Sequence, residues 1–396
     1  MSAILSSQAR FYMYTGPEFP SPDAMLQCRG IKRMAPLEEP MAQFYSEIGM
    51  YRQLAVHPNR VWDPSAAELF YVPILPHLSA DAGGCNGTGH RSRMSSVAKV
   101  LRTSKYWQRR NGTDHVWACT CVMMKAMLTH ELWDLVGTAV HAVHSVPRGH
   151  ASPSRCQMAV PYFNPSFAST YLANQWRTPA RPRKTLAHFR GRIMNRIRAT
   201  LVRTYGKQPD FMVEAAHPAT AARCNLNKCA AAKMAKVGFP SQRAHLDEMT
   251  RSLFCLVPTG DSPPSSRLYL AVAAGCLPVI ISDYFEGAFP GAVPWAEFSV
   301  RILEKDLSNR DLGTELKAIR EDLPRLHKMQ SALQKYAPDV LWEAENSRVG
   351  DHVLSLATHA LREVCKPRGA EATAITPETA AQRLPGPQVI YAAMAE

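Results

Sequence analysis

Leu253–Phe285 reads LFCLVPTGDSPPSSRLYLAVAAGCLPVIISDYF, and its punctuation decides the fold class. Leu253–Pro258 is an apolar run long enough for one buried strand. Thr259–Ser266 gathers Gly260, Pro263 and Pro264 into a turn. Arg267–Ala274 follows at helical spacing without a breaker, and Gly275 stands where a helix stop belongs. Leu277–Ser282 is a second apolar, β-branched run, closed by Asp283. Strand, loop, helix, strand suits a parallel β-α-β unit with both strands buried on both faces. The chain is therefore read as α/β.

The chemistry of such a unit lies beyond the carboxyl end of the first strand, where the loop opens a helix whose free N–H groups attract anions. Ser265, Ser266 and Arg267 crowd that start. Two hydroxyls and a guanidinium fork suit a pyrophosphate. The same residues also read as an ordinary serine cap beside a surface charge. The local pattern leaves both readings open.

FCLVPTGD followed by SSRLYLAVAAGCLPVIISD resembles the exostosin family of glycosyltransferases (family 47). The resemblance implies a GT-B fold, two Rossmann-like domains facing across a cleft. It implies a nucleotide-sugar donor, a UDP-sugar, bound mainly by the C-terminal domain, and inversion at the anomeric carbon. Gly260, Asp261, Ser265, Ser266 and Arg267 would then line the donor site. No obligatory metal or cofactor is expected, since there is no D-x-D motif and basic groups with a helix end can stabilise the departing diphosphate. Gly260 has no Gly-Lys-Ser/Thr sequel, so it does not belong to a P-loop.

With 396 residues, two domains are expected. They are read as 1–180, the acceptor side, and 181–345, the nucleotide-sugar side, followed by a C-terminal helix and mobile tail over 346–396. An apolar fraction of 46% supports sizeable cores. The net charge of +13 fits a phosphate-bearing donor or an acidic glycan. No basic run is interleaved with aromatics, so nucleic acid is not an expected partner. The ten cysteines contain no CxxC pair and form no convincing zinc site. Cys255 and Cys276 read as buried core thiols. MSAILSSQAR lacks the charge-first layout of a signal peptide, and no run reaches the roughly 20 apolar residues that span a bilayer. Family members are Golgi type II membrane proteins, so the resemblance implies a Golgi location through an anchor not contained in this chain. It also allows association with other glycosyltransferases. Asn86-Gly87-Thr88 and Asn111-Gly112-Thr113 match the N-glycosylation triplet.

Arg10–Thr15 is a candidate first strand, and Pro40–Leu54 carries an apolar helical stripe. Tyr45-Ser46-Glu47 and the stretch from Asp63-Pro64 to Val72-Pro73 resemble the family's Y-x-E and D-P-x-x-A-x-x-F-x-V-P segments. Ser79–Ser96, rich in Gly, Ser, Arg and Asn, reads as a loop. Asp114 and His115 precede an apolar strand, read as its cleft-side mouth. Histidine titrates near working pH and is the commonest general base. His115, helped by Asp114, is therefore the candidate for taking the acceptor's proton; the alternative is a purely structural histidine.

Asn164–Pro182 reads as the interdomain connection. Phe189-Arg190-Gly191-Arg192 resembles the family's F-x-G-R/K turn. Gly191 lets the backbone approach a ligand, and Arg190 and Arg192 offer forks for phosphate. Asp283 and Glu286, past the second strand, are candidates for the donor sugar or ribose, or for plain turn and cap roles. One residue departs from the family pattern R-x-x-[D/E]-A: the run here is Arg267-Leu268-Tyr269-Leu270-Ala271. A carboxylate at that position would accept ribose hydroxyls, and Leu270 cannot. The alternative to an active enzyme is therefore an exostosin-like protein that binds glycan or chaperones a partner transferase.

Overall fold

The computed structural model describes residues 8–28, 43–120, 124–144, 156–163, 183–215, 242–260, 263, 265–364 and 388–389. Asp261, the segments 164–182 and 223–236, and nearly all of the expected tail lie outside them. The architecture is α/β, with two sheets in which every strand pair is parallel.

The N-terminal sheet holds β1 (Phe11–Met13), β2 (Arg60–Val61), β3 (Leu69–Tyr71), β4 (His115–Ala118), β5 (Val140–Val143) and β6 (Cys156–Ala159). The second sheet holds β7 (Thr185–Gly191), β8 (Phe211–Ala215), β9 (Ser252–Pro258), β10 (Leu277–Ile281) and β11 (Val300–Ile302). A two-residue strand, β12 (Gln388–Val389), joins the edge of the first sheet at β6. The first sheet runs β12-β6-β5-β4-β3-β1-β2 and the second β11-β10-β9-β7-β8. Each begins with an inner strand, steps to one edge, then crosses to the other side and winds outward. A topological switch point therefore falls between β1 and β3, and between β7 and β9, and ligands bind at the carboxyl ends of strands there.

Leu253–Phe285 folds as its sequence implies. β9 is buried throughout, the helix spans Ser266–Ala273, and β10 is again fully buried. Gly275 has φ +63°, and a Cβ there would meet Nη2 of Arg183 at 2.8 Å. Arg183 donates to the carbonyls of Ser252 at 2.7 Å and Ala274 at 2.9 Å, tying the entrance of β9 to the end of that helix. Cys255 and Cys276 form a disulfide rather than two thiols, because the parallel register sets Cys255 opposite Pro278 and leaves the two Cα atoms 5.7 Å apart. Cys28 and Cys85 form a second, with Cα atoms 5.4 Å apart.

The loop expected over Ser79–Ser96 is largely helical, with helices Pro76–Ala82 and His90–Thr103. Met94, Val97, Ala98 and Leu101 bury one face of the second helix. Arg93 is buried among them because its guanidinium serves Ser79 and the carbonyls of Ser79, Gly83 and Thr88.

The two lobes meet at the carboxyl edges of their sheets. Tyr162, just past β6, lies 6.0 Å from the Tyr269 ring on the helix after β9. Helix Val349–His359, which the sequence reading set outside both domains, returns to the N-terminal lobe. The Ala9 N–H donates to Thr358 Oγ1 at 3.0 Å, and His57 Nε2 lies 3.0 Å from Asp351 Oδ1. Trp342 docks beside it: its indole N–H donates to the Pro161 carbonyl at 2.9 Å. The helix Ser46–Ala55 accepts this indole only because it carries Gly49, where a Cβ would stand 2.6 Å from the ring. Gly49→Ala should therefore overpack the junction, costing about 1–3 kcal/mol. A thermal melt should drop by several degrees; an unchanged melt would show that the indole yields freely.

Candidate functional site at the second switch point

The loops leaving β7 and β9 converge. A Cβ on Gly191 would lie 2.7 Å from Nη2 of Arg267, and one on Gly260 would lie 2.9 Å from Nη2 of Arg198 and 3.7 Å from Cβ of Ser265. Gly191, Gly260, Ser265 and Arg267, separate in sequence, therefore share one crevice. Arg198 joins them without having been singled out by sequence. It sits in helix Arg196–Tyr205, donating to the carbonyls of Thr259 at 3.2 Å and Arg192 at 3.1 Å.

Ser265 does not act as an ordinary cap at this helix start. It occupies the N-cap position with extended backbone (φ −106°, ψ 161°), yet its side chain caps nothing. Its hydroxyl is buried with no partner among the described residues. Arg267 behaves alike: its Nε is buried and has no partner among the described residues. Its Nη1 donates to His245 Nε2 at 3.1 Å, and its Cζ stands 4.8 Å over the Phe189 ring. Burial, and then the neighbouring charge of Arg198, push its guanidinium down to about 9. Among the described residues no carboxylate pairs with it, and a desolvated cation of this kind is costly until an anion arrives.

Arg190 and Arg192 do not join this group. Phe189 and Gly191 approach Arg267, while alternation puts Arg190 on the side of β7 that it shares with His188. There Arg190 meets Glu214, its neighbour on β8, at 2.8 Å, and Glu248 at 2.5 Å. Both carboxylates cancel its charge. Arg192 is exposed and contributes its carbonyl to Arg198. Ser266 is the first residue of the helix. Asp283 Oδ1 accepts the Glu304 N–H at 2.8 Å, and Glu286 is exposed. Leu270 packs against the core, so no carboxylate stands at its position. Glu304, just past β11, accepts from the Thr259 hydroxyl in the β9 loop. It follows an unremarkable Val-Arg-Ile-Leu run, and nothing in its sequence context marked it.

His188, His245 and Glu248 lie behind Arg267 with ligand atoms within 4.8 Å of one another, a spacing compatible with a metal ion. Proton placement argues against that use. An arginine only donates, so His245 Nε2 must accept and the imidazole proton sits on Nδ1, facing Glu248. Arg190 already occupies the Glu248 carboxylate.

On the N-terminal lobe, His115 is a correction. It lies at the amino end of β4, opposite the edge where ligands bind, and is fully buried. Nδ1 donates to Asp114 at 2.7 Å, and Nε2 accepts from Tyr14 at 3.0 Å. Phe70 stacks on its ring at 4.7 Å. Asp114 is also buried and paired with Arg109 at 2.9 Å. Burial favours the neutral acid, but the bonds from His115 and Arg109 prevail and hold its pKa below the usual range. Neither group can reach an acceptor. His115→Asn should destabilise the lobe by about 1–3 kcal/mol through unmade buried bonds, seen as a lower melting temperature. A histidine that does stand at the correct edge is His144, past β5, which bonds Ser46 Oγ at 2.7 Å and stacks on Tyr162 at 3.5 Å. Its signal was the apolar Val140–Val143 run it terminates.

Comparisons with known proteins agree with this geometry. The Exostosin GT47 domain matches residues 6–319. The chain is 26% identical over 348 residues to a probable glucuronosyltransferase of Oryza sativa subsp. japonica, covering 82% of this chain and 75% of that protein. It is 27% identical over 289 residues to a probable beta-1,4-xylosyltransferase of Arabidopsis thaliana, covering 68% of this chain and 64% of that protein. It thus spans three quarters of the first relative and less than two thirds of the second. No described helix is long and apolar enough to cross a membrane. Two parallel α/β lobes and a match over most of the length agree: the chain belongs to the exostosin GT47 family of glycosyltransferases.

Proposed function

We propose that this chain transfers a sugar from a nucleoside diphosphate donor, a UDP-sugar, to a glycan hydroxyl with inversion. The observation that carries this reading is the pair of buried donors at one helix start, Ser265 Oγ and Arg267 Nε, that have no partner among the described residues. A leaving diphosphate brings the acceptor oxygens and negative charge they lack. Arg267 and Arg198 would neutralise it, with the helix N-terminus adding its partial positive charge. Such a site needs no metal to stabilise the leaving group. Asp283 and Glu304 are the carboxylates available to the ribose in place of Leu270. For work on the acceptor, position favours His144 over His115. The disulfides Cys28–Cys85 and Cys255–Cys276 suit an oxidising lumen such as the Golgi.

Leu270 favours a second reading, a weak or inactive transferase that binds glycan. A lost bond to a charged acceptor is worth about 1.5–3 kcal/mol, so donor affinity would be roughly ten- to hundredfold lower than with a carboxylate there. UDP release should be measured across UDP-sugars, with UDP-xylose and UDP-glucuronic acid included because the relatives are named for those sugars. Turnover with any of them supports the enzyme. Binding of UDP without turnover supports the second reading. If millimolar UDP leaves the melting temperature unchanged, the donor site itself is refuted.

A further inference from the structure

Arg267 is aimed by an unusual partner. Guanidinium groups are most often oriented by carboxylates, which also cancel their charge. Here Nη1 donates to the imidazole of His245 at 3.1 Å. A carboxylate, Glu248, sits one helical turn further along helix Gln242–Thr250, with Oε2 4.0 Å from His245 Nδ1. That carboxylate is drawn away. Arg190 holds Oε1 at 2.5 Å and His188 Nε2 lies 3.2 Å from Oε2. Arg190 in turn binds Glu214 on β8. The arrangement separates two arginines: Arg190 receives both acids, and Arg267 receives a neutral ring.

We propose that His245 is a positioning residue for the leaving diphosphate: a neutral imidazole acceptor that aims the Arg267 guanidinium without cancelling its charge. Three features support this assignment, which rests on the donor-site reading above. His245 is kept neutral by burial and by the surrounding positive charges of Arg267 and Arg190, with His188 beside it, and its pKa lies well below the ordinary histidine range. Its Nε2 must be the unprotonated nitrogen, because the arginine can only donate. On the other sides Arg267 is confined by the Phe189 ring and by Gly191, which leaves the His245 bond to fix its remaining freedom.

The test is titration calorimetry with UDP at pH 7.5 on the full chain, comparing wild type with Arg267→Met, His245→Leu, His245→Gln and His245→Glu. His245→Leu removes the acceptor and should weaken UDP about tenfold. Glutamine can present its carbonyl oxygen where Nε2 stood, so His245→Gln should restore most of that loss. Glutamate also accepts, but pairs with and neutralises Arg267, so His245→Glu should bind more weakly than His245→Leu. This order, Gln above Leu above Glu, is what a merely structural histidine would not produce. If His245→Leu binds UDP within twofold of wild type while Arg267→Met does not bind, the inference falls and the donor site stands. If wild type does not bind UDP, both fall. If His245→Leu does not fold, the Gln and Glu variants decide: equal affinities overturn the proposal.

Discussion

Arg267→Met should abolish UDP binding and, in the absence of ligand, leave the protein as stable as wild type or more so. The first effect follows from charge-assisted hydrogen bonds to the diphosphate, each worth about 1.5–3 kcal/mol, so that losing two costs roughly a hundred- to a thousandfold in affinity or more. The second follows from what Arg267 lacks. Among the described residues its Nε is buried without a partner and its guanidinium bonds a neutral imidazole, while Arg198 stands close enough to oppose its charge. Methionine fills similar volume over Phe189 and relieves that desolvation. Stability and function are thus expected to separate at one residue, as they do where a site is held ready for an absent ligand. Melting curves with and without UDP measure both. A variant that melts well below wild type, or that UDP still stabilises to the wild-type extent, contradicts the account of Arg267.

Much of this site was legible because strong local signals coincide there. Two apolar β-branched runs, a proline-rich turn and Gly275 fix β9, the helix and β10 to within a residue or two. What sequence could not supply is direction and partner. Asp114-His115 does precede a strand, but in a parallel sheet the residue before a strand lies at the amino edge, away from the ligand. Arg190 and Gly191 are adjacent in sequence and face opposite sides of β7, so one motif is divided between an ion-pair network and the crevice. Arg198 looked like any arginine on a helix until the Thr259 carbonyl fixed it beside Gly260. The helix His90–Thr103 was hidden for a related reason: Arg93 reads as a solvated charge, yet its bonds to carbonyls carry it into the core.

Acidification from pH 7.5 to pH 5 should destabilise the fold, because it buries neutral histidines. His141 stacks on Trp117 at 4.0 Å, with Nε2 3.1 Å from the Cys119 carbonyl oxygen, and burial lowers it to about 3. His188 is lowered to about 3 by burial and then by Arg267 and Arg190. His144 and His245 are held well below the ordinary value, again chiefly by burial. Each has a folded pKa below its unfolded value near 6.5, so its contribution is complete above that pH and is lost as the unfolded chain gains protons below it. For His141 and His188, whose folded values lie near 3, that amounts at pH 5 to roughly 2 kcal/mol each, and His144 and His245 act in the same direction. Glu47 acts in the opposite sense. Fully buried, it is raised to about 8, so the fold keeps it neutral and gains stability as pH falls. Over this interval that offsets about 3 kcal/mol. Asp114 and Asp339, held below the usual carboxylate range, act only at lower pH. The histidine contributions exceed the Glu47 offset, so the net effect of acidification is a loss of stability. Denaturant midpoints measured every half pH unit should fall steadily below pH 6.5, and His188→Gln should flatten the slope. A midpoint constant from pH 7.5 to pH 5 would mean that these imidazoles reach water or find anions, and that the packing around β5 and β7 is looser than drawn here.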